Sequence, residues 1–207
     1  MGKSHLSEED IKLRYITPAI QNAGWDNKQI RMEYAFTAGR IILRGNITAR
    51  GRKKSADYLL SYKNNFPLAI VEAKANTQPV GAGLQQAIDY AKALDVPYVY
   101  ASNGDGFVEQ NLLTGEVNEL KLEDFPSPEA LYQRYRIDKG IDEAEEKVML
   151  EPYYYIPNYK TPRYYQRVAI NRTVDAVAKG RNRVLVVSAT GERVIIVMGA
   201  VCVIKSR

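Results

Sequence analysis

Asp57, Glu72 and Lys74 have the types and spacing to hydrolyse a phosphate ester, the last two lying inside the stretch "LAIVEAKA" at 68–75. Leu68 to Val71 reads as the interior of a buried strand, and Glu72 and Lys74 follow it two residues apart, on one face. Buried charge is costly unless it is paired, bound to metal or at work. The preceding "ADYLLSYK" is also strand-like, and "NNFP" between the two has hairpin length. Symmetric pairing about that turn sets Leu59 opposite Glu72 and Asp57 opposite Lys74. Alternation then brings all three charges to a common face.

Two carboxylates, with a backbone carbonyl from the Glu72 strand, make an oxygen donor set for Mg²⁺, with Mn²⁺ as its substitute. Such an ion polarises a phosphodiester and acidifies bound water, while a lysine can orient that water and offset phosphoryl charge. Other routes are few. His5 is the one histidine and Cys202 the one cysteine, which argues against a histidine triad, a His-rich zinc site and a disulfide framework. Glu-x-Lys by itself occurs by chance and equally fits a solvated edge strand, so the surrounding elements decide.

Those elements can be read in order. Ser7 before Glu8, Glu9 and Asp10 is a helix start, and the helix runs to "NAGW" with Ile11, Ile16, Ala19 and Ile20 as its apolar face. "IRMEYAFTAGRIILRGN" is extended, and "RGRKK" at 50–54 is a basic loop. "GAGLQQAIDYAKALD" is an amphipathic helix with Leu84, Ala87, Ile88, Ala91 and Leu94 on one side. Gln86 and Tyr90 share another face of it. "VPYVYASNG" is a short strand, "FVEQNLLTGEVNEL" a second hairpin and "SPEALYQRY" a helix. The fold class expected is α/β, a central mixed sheet flanked by helices, over residues 1–140.

The 207 residues are 45% hydrophobic and 26% charged, the balance of a soluble globular chain, and the net charge of +5 favours an anionic partner. The polar N-terminus lacks a signal peptide, and the apolar run at 194–204 is too short to cross a bilayer. A cytoplasmic, reducing setting without membrane contact is the expectation.

"ADYLLSYKNNFPLAIVEAKA" followed by "LQQAIDYA" resembles the nuclease domain of the restriction subunit of type I restriction–modification systems, a branch of the PD-(D/E)xK nuclease superfamily. The opening "LSEEDIKLRYITPAIQNAGW" resembles that family's first helix. The resemblance implies a restriction endonuclease-like fold and Mg²⁺-dependent cleavage of double-stranded DNA. It implies Asp57 and Glu72 as metal ligands, Lys74 beside the attacking water, and Gln86 and Tyr90 of the family's Gln-x-x-x-Tyr pattern at the DNA. It also implies an acid of the first helix near the metal, either Glu8 or Asp10. Arg50, Arg52, Lys53 and Lys54 read either as a solvated loop or as phosphate contacts at the mouth of the site. In the full subunit, ATP-driven translocation precedes cleavage, and methyltransferase and specificity subunits are the partners. Two competing readings are a stand-alone repair or mobile-element nuclease of the same superfamily, and an inert DNA-binding or assembly module.

Residues 141–160, with "EPYYYIPNYKTPRYY" beginning at Glu151, read as a linker. Beyond it, 161–207 resembles the start of a superfamily-two helicase motor, with a helix over "YQRVAINRTVDAVAKG" and a buried strand over "RVLVVSATG". Gln166 matches the adenine-contacting glutamine of such motors. The phosphate loop departs from the family after Gly191, where "ERV" replaces the Lys and Thr or Ser that hold phosphates and Mg²⁺. ATP is therefore expected only in the full-length subunit, and 192–207 is an atypical tail.

Overall fold

The computed structural model describes residues 6–37, 42–44, 47–49, 53–63, 66–151, 162–181 and 183–186. Among them, the chain divides into two units, residues 1–139 and 140–207.

The first unit is built on β5 (Phe66–Ala73), whose last six residues are buried. A strand covered on both faces reads as a continuous apolar run. On one side β5 pairs antiparallel with β4 (Lys53–Lys63), and on the other parallel with β6 (Tyr98–Ser102). A parallel neighbour needs a crossover, and α3 (Leu84–Leu94) provides it, packing on β5 and β6 after a 3₁₀ turn at Val80–Gly83. The sheet has six strands in the order β1-β4-β5-β6-β7-β8, where β1 is Ile30–Thr37, β7 Phe107–Asn111 and β8 Val117–Leu120. All other neighbours are antiparallel, so the sheet is mixed, as expected. A separate two-stranded ribbon pairs β2 (Ile42–Arg44) with β3 (Ile47–Ala49).

The N-terminal helix forms where its start signal lies, but not as one regular helix. Ser7 caps α1 (Glu8–Ile11) in a reciprocal box with Asp10; a π-helical turn follows over Lys12–Ile16, then α2 (Thr17–Asn22). Ile11, Ile16 and Ile20 are fully buried and Ala19 nearly so; each Ile contributes about 1.5–3 kcal/mol by leaving water. The extra residue of a π turn shifts the helix face, and such turns concentrate at functional sites. Trp25 closes the helix by donating its indole N–H to the Pro126 carbonyl at 2.9 Å, just before α4 (Pro128–Lys139). On α4, Arg134 makes a bidentate pair with the buried Glu109 of β7 (2.6 and 3.1 Å).

The hairpin register differs from symmetric pairing about "NNFP". Phe66 and Pro67 already belong to β5, and the pairs are Leu60–Ala69, Leu59–Ile70 and Tyr58–Val71, with irregularities flanking Ser61. The connection is two residues shorter than expected, so Asp57 falls level with Glu72 rather than Lys74. A two-residue slip keeps every side chain on its face, which is why the clustering survives the wrong register.

In the second unit, α5 (Glu143–Met149) starts inside the expected linker, capped by Asp142 with Glu145. Val148 and Met149 pack with Ile170 and Val174 of α6 (Tyr164–Ala178), which places this stretch with the second unit. The buried strand expected from Arg183 is absent over 183–186, where the chain is irregular and Leu185 is exposed. The rest of that segment, with Gly191 and the tail, lies outside the described residues, as do His5 and Cys202.

Candidate active site

The C-terminal end of β5 is where the β4–β5 ladder gives out. Its last backbone pair is Tyr58–Val71, and the next donors are taken by side chains. The Asp57 N–H donates to Glu72 Oε1 (3.3 Å), and the Ala73 N–H donates to Asp57 Oδ2 (2.8 Å). Both carboxylates thus occupy the gap between two separating strands, and both are buried. β5 itself stays paired to β6 through Ala73–Ser102, and the Lys74 N–H continues this to the Ser102 carbonyl at 2.8 Å. One strand edge opens while the other holds. In open α/β sheets, ligands bind beyond the carboxyl ends of strands, beside the helix that follows.

That helix supplies the next layer. The Gln86 amide donates to Glu72 Oε2 (2.7 Å) and to the Tyr90 hydroxyl (3.2 Å). The Gln86 nitrogen, with two N–H donors, serves both acceptors. Gln86 and Tyr90 therefore back Glu72 from α3. The Tyr90 ring is held edge-on by Phe36 (centroids 5.1 Å apart), with the Lys54 ammonium 5.2 Å from its centre. α3 comes this close because Gly83 precedes it. A Cβ on Gly83 would stand 3.1 Å from the Glu72 Cβ and 3.6 Å from the Lys74 Cε.

Electrostatics follow from placing two acids together out of water. Burial first, and then the Asp57 charge, push the Glu72 carboxyl up to about 8, against the pull of the Asp57 N–H and of Lys74. Burial likewise raises Glu8, whose Oε2 lies 3.9 Å from the Lys74 ammonium. Tyr90 is raised by burial and by Glu72.

Of the sequence candidates, Asp57, Glu72, Lys74, Gln86, Tyr90 and Glu8 come together. Asp10 does not join them: it closes the Ser7 cap and pairs with Arg14 at 3.2 Å. Lys54 sits over Tyr90 and Lys53 is exposed, while Arg50 and Arg52 lie outside the described residues. Gln166 is buried in the second unit, and its side-chain oxygen accepts the Arg163 N–H (2.9 Å) that starts α6.

Two residues at the site escaped sequence reasoning. The Lys12 ammonium lies 3.4 Å from Asp57 Oδ1 and 2.7 Å from Glu33 Oε1, and also pairs with Glu9. A lysine beside one apolar residue on a helix reads as solvated; its burial comes from the tertiary packing around the π turn. Glu33 has φ 47°, a left-handed conformation within a strand, and no local pattern announces it.

The donor set suits a hard divalent cation: oxygen atoms only, two buried acids side by side, and a lysine in reach. Among the described residues, no group of three or more His, Cys, Asp or Glu side chains stands in metal-holding arrangement. Asp57 and Glu72 form a pair, which leaves any further positions to backbone, water and substrate.

Residues 7–126 match the profile of the family described as Type I restriction enzyme R protein N terminus (HSDR_N). The chain is 48% identical over 196 residues to the Type I restriction enzyme EcoAI endonuclease subunit of Escherichia coli, a match covering 92% of this chain and 24% of that protein. It therefore spans about a quarter of that relative's length. A solved fragment described as an HsdR subunit of a type I restriction enzyme from Vibrio vulnificus YJ016 superposes with a TM-score of 0.79 at 41% identity. That match covers 93% of this chain and 36% of the solved one.

Proposed function

The chain belongs to the type I restriction enzyme R protein N-terminal family, and on that footing we propose that residues 1–139 form a Mg²⁺-dependent endonuclease domain acting on double-stranded DNA. The observation that carries this reading is the pair of buried carboxylates, Asp57 and Glu72, set side by side where β4 and β5 part. Two acids in that position repel each other, and a divalent cation is the partner that turns the cost into binding.

Asp57 and Glu72 would hold the cation, and Glu8, 3.9 Å from the Lys74 ammonium, would be the acid of the first helix near it. When bound, the ion supplies Lewis-acid polarisation of a phosphodiester and a more acidic water. Lys74 steadies the attacking water and compensates charge building on the phosphoryl oxygens. Gln86 fixes the rotamer of Glu72, and Tyr90 fixes Gln86. Lys53 and Lys54 sit on the strand leading to Asp57, where they would contact DNA phosphates without reading sequence. Cleavage in this reading depends on ATP hydrolysis elsewhere in a full-length R subunit, with methyltransferase and specificity subunits choosing the DNA. Gln166, in the second unit, would contact adenine only where a full motor completes the site.

The test is nicking of supercoiled plasmid by a full-length R subunit carrying this domain, assembled with its partner subunits. Glu72→Ala should abolish nicking while leaving DNA binding, which rests on basic residues, in place. Nicking that persists in Glu72→Ala would remove the assignment.

A further inference from the structure

One buried cation and one strained residue meet beside the two carboxylates. The Lys12 side chain is only 2% exposed, yet it faces three acids: Glu9, Glu33 and Asp57. Burial alone would lower its pKa; the hydrogen bonds to Glu33 and Glu9 and the Asp57 charge outweigh that and hold it above the usual lysine value. It is a fixed positive charge at working pH. Glu33 occupies the position across from Asp57 in the β1–β4 register, which passes from Met32–Tyr58 to Tyr34–Ala56 and skips it. Its left-handed backbone turns the carboxylate to Lys12 Nζ at 2.7 Å and toward Ser55 Oγ at 3.4 Å. Strain of this kind persists only where the surroundings enforce it, and it gathers at functional sites.

We propose that Lys12 is a positioning residue that sets the cation affinity of the Asp57–Glu72 pair, with Glu33 acting through it. The inference rests on the metal-centre reading above. Lys12 occupies one acceptor position of Asp57 and places a like charge beside an arriving divalent ion, which weakens binding of that ion. Glu9 and Glu33 give the ammonium partners to keep when Asp57 turns to the cation. The exchange therefore never leaves a buried charge alone, the outcome that would be most costly. Glu33, by drawing Lys12 away from Asp57, eases that exchange.

The experiment is a Mn²⁺ titration of the 207-residue chain, read by loss of the free-ion electron paramagnetic resonance signal. Lys12→Met removes the like charge and should bind Mn²⁺ about fivefold tighter or more. Lys12→Arg keeps the charge and should stay within about twofold of the parent. Glu33→Gln leaves Lys12 on Asp57 and should weaken binding about threefold, an effect that vanishes in the Lys12→Met background. Unchanged or weaker binding by Lys12→Met overturns the proposal, as does a Glu33→Gln effect of equal size in both backgrounds. Should Lys12→Met fail to fold by circular dichroism, Lys12→Gln replaces it in both comparisons, and Glu33→Gln binding that equals or exceeds the parent's overturns the proposal by itself; the Glu33 side chain is 59% exposed, so its loss leaves the core intact. Asp57→Asn separates the two levels. If it leaves Mn²⁺ binding untouched, the metal centre falls and this inference with it. If it abolishes binding while Lys12→Met and Glu33→Gln both match the parent, only this inference falls.

Discussion

Glu72 sits where an ionised carboxylate is least comfortable, 1% exposed and level with a second acid. With its pKa raised to about 8, the folded protein binds a proton there that the unfolded chain releases near its ordinary value of 4.5. The stability this group confers is complete below about pH 4.5 and is lost as pH rises through about 8. EDTA-treated protein should accordingly melt lower at pH 8.5 than at pH 6, and Glu72→Gln should flatten that slope and melt higher than the parent at pH 8.5. Differential scanning calorimetry across that range checks it; a parallel slope in the variant would place the pH dependence elsewhere. The same substitution should abolish nicking, so stability and activity move in opposite directions. Asp57, Glu72 and Lys74 were legible because charges in an apolar strand are conspicuous and strand periodicity is simple. Lys12 and Glu33 were not, because one owes its burial to a π turn and the other its direction to a left-handed φ. Neither feature has a local signature.

At the scale of elements, β4–β5 and α3 together make the site, and Gly83, just before α3, packs tightly against Glu72. Gly83→Val would force its added carbons against Glu72 and the Lys74 stem, displacing α3 at a cost of about 1–3 kcal/mol for overpacking. Nicking should fall at least tenfold, while far-ultraviolet circular dichroism stays that of the parent. Gln86→Ala and Tyr90→Phe make a graded pair. Gln86 touches Glu72 directly and Tyr90 only through Gln86, so the first should slow nicking more than the second. Each should cost stability only about 0.5–1.5 kcal/mol, the net worth of a hydrogen bond. Equal loss in both would mean that Tyr90 touches the substrate itself. The order of strands and helices in the first unit could be read from periodicity and caps. The register could not, because Phe66 and Pro67 look like turn residues yet pair in β5. Only the parity of that slip preserved the inferred cluster. The helix at 143–149 was missed for a related reason: its charged first turn resembles a linker until Val148 and Met149 find Ile170 and Val174.

At the scale of the whole molecule, the two units differ in what they can do alone. The first unit contains every residue of the candidate site. The second has a Gln166 that caps its own helix, and Glu192 and Arg193 stand directly after Gly191 where a phosphate cradle, the source of most nucleotide affinity, has Lys and Thr or Ser. Millimolar MgATP should therefore raise the melting temperature of this chain no more than MgCl₂ does, since only a ligand that binds the native state stabilises it. An ATP-specific shift would show a nucleotide site formed in another way. Among the described residues, no helix is long and apolar enough to cross a membrane. Whether Asp57 and Glu72 share a divalent cation is measured most directly by anomalous diffraction from crystals of this chain grown with Mn²⁺. The expected result is a peak between the two carboxylates, with the Lys12 ammonium drawn toward Glu33. Crystals at full Mn²⁺ loading with no peak there, or with the peak elsewhere, would contradict it.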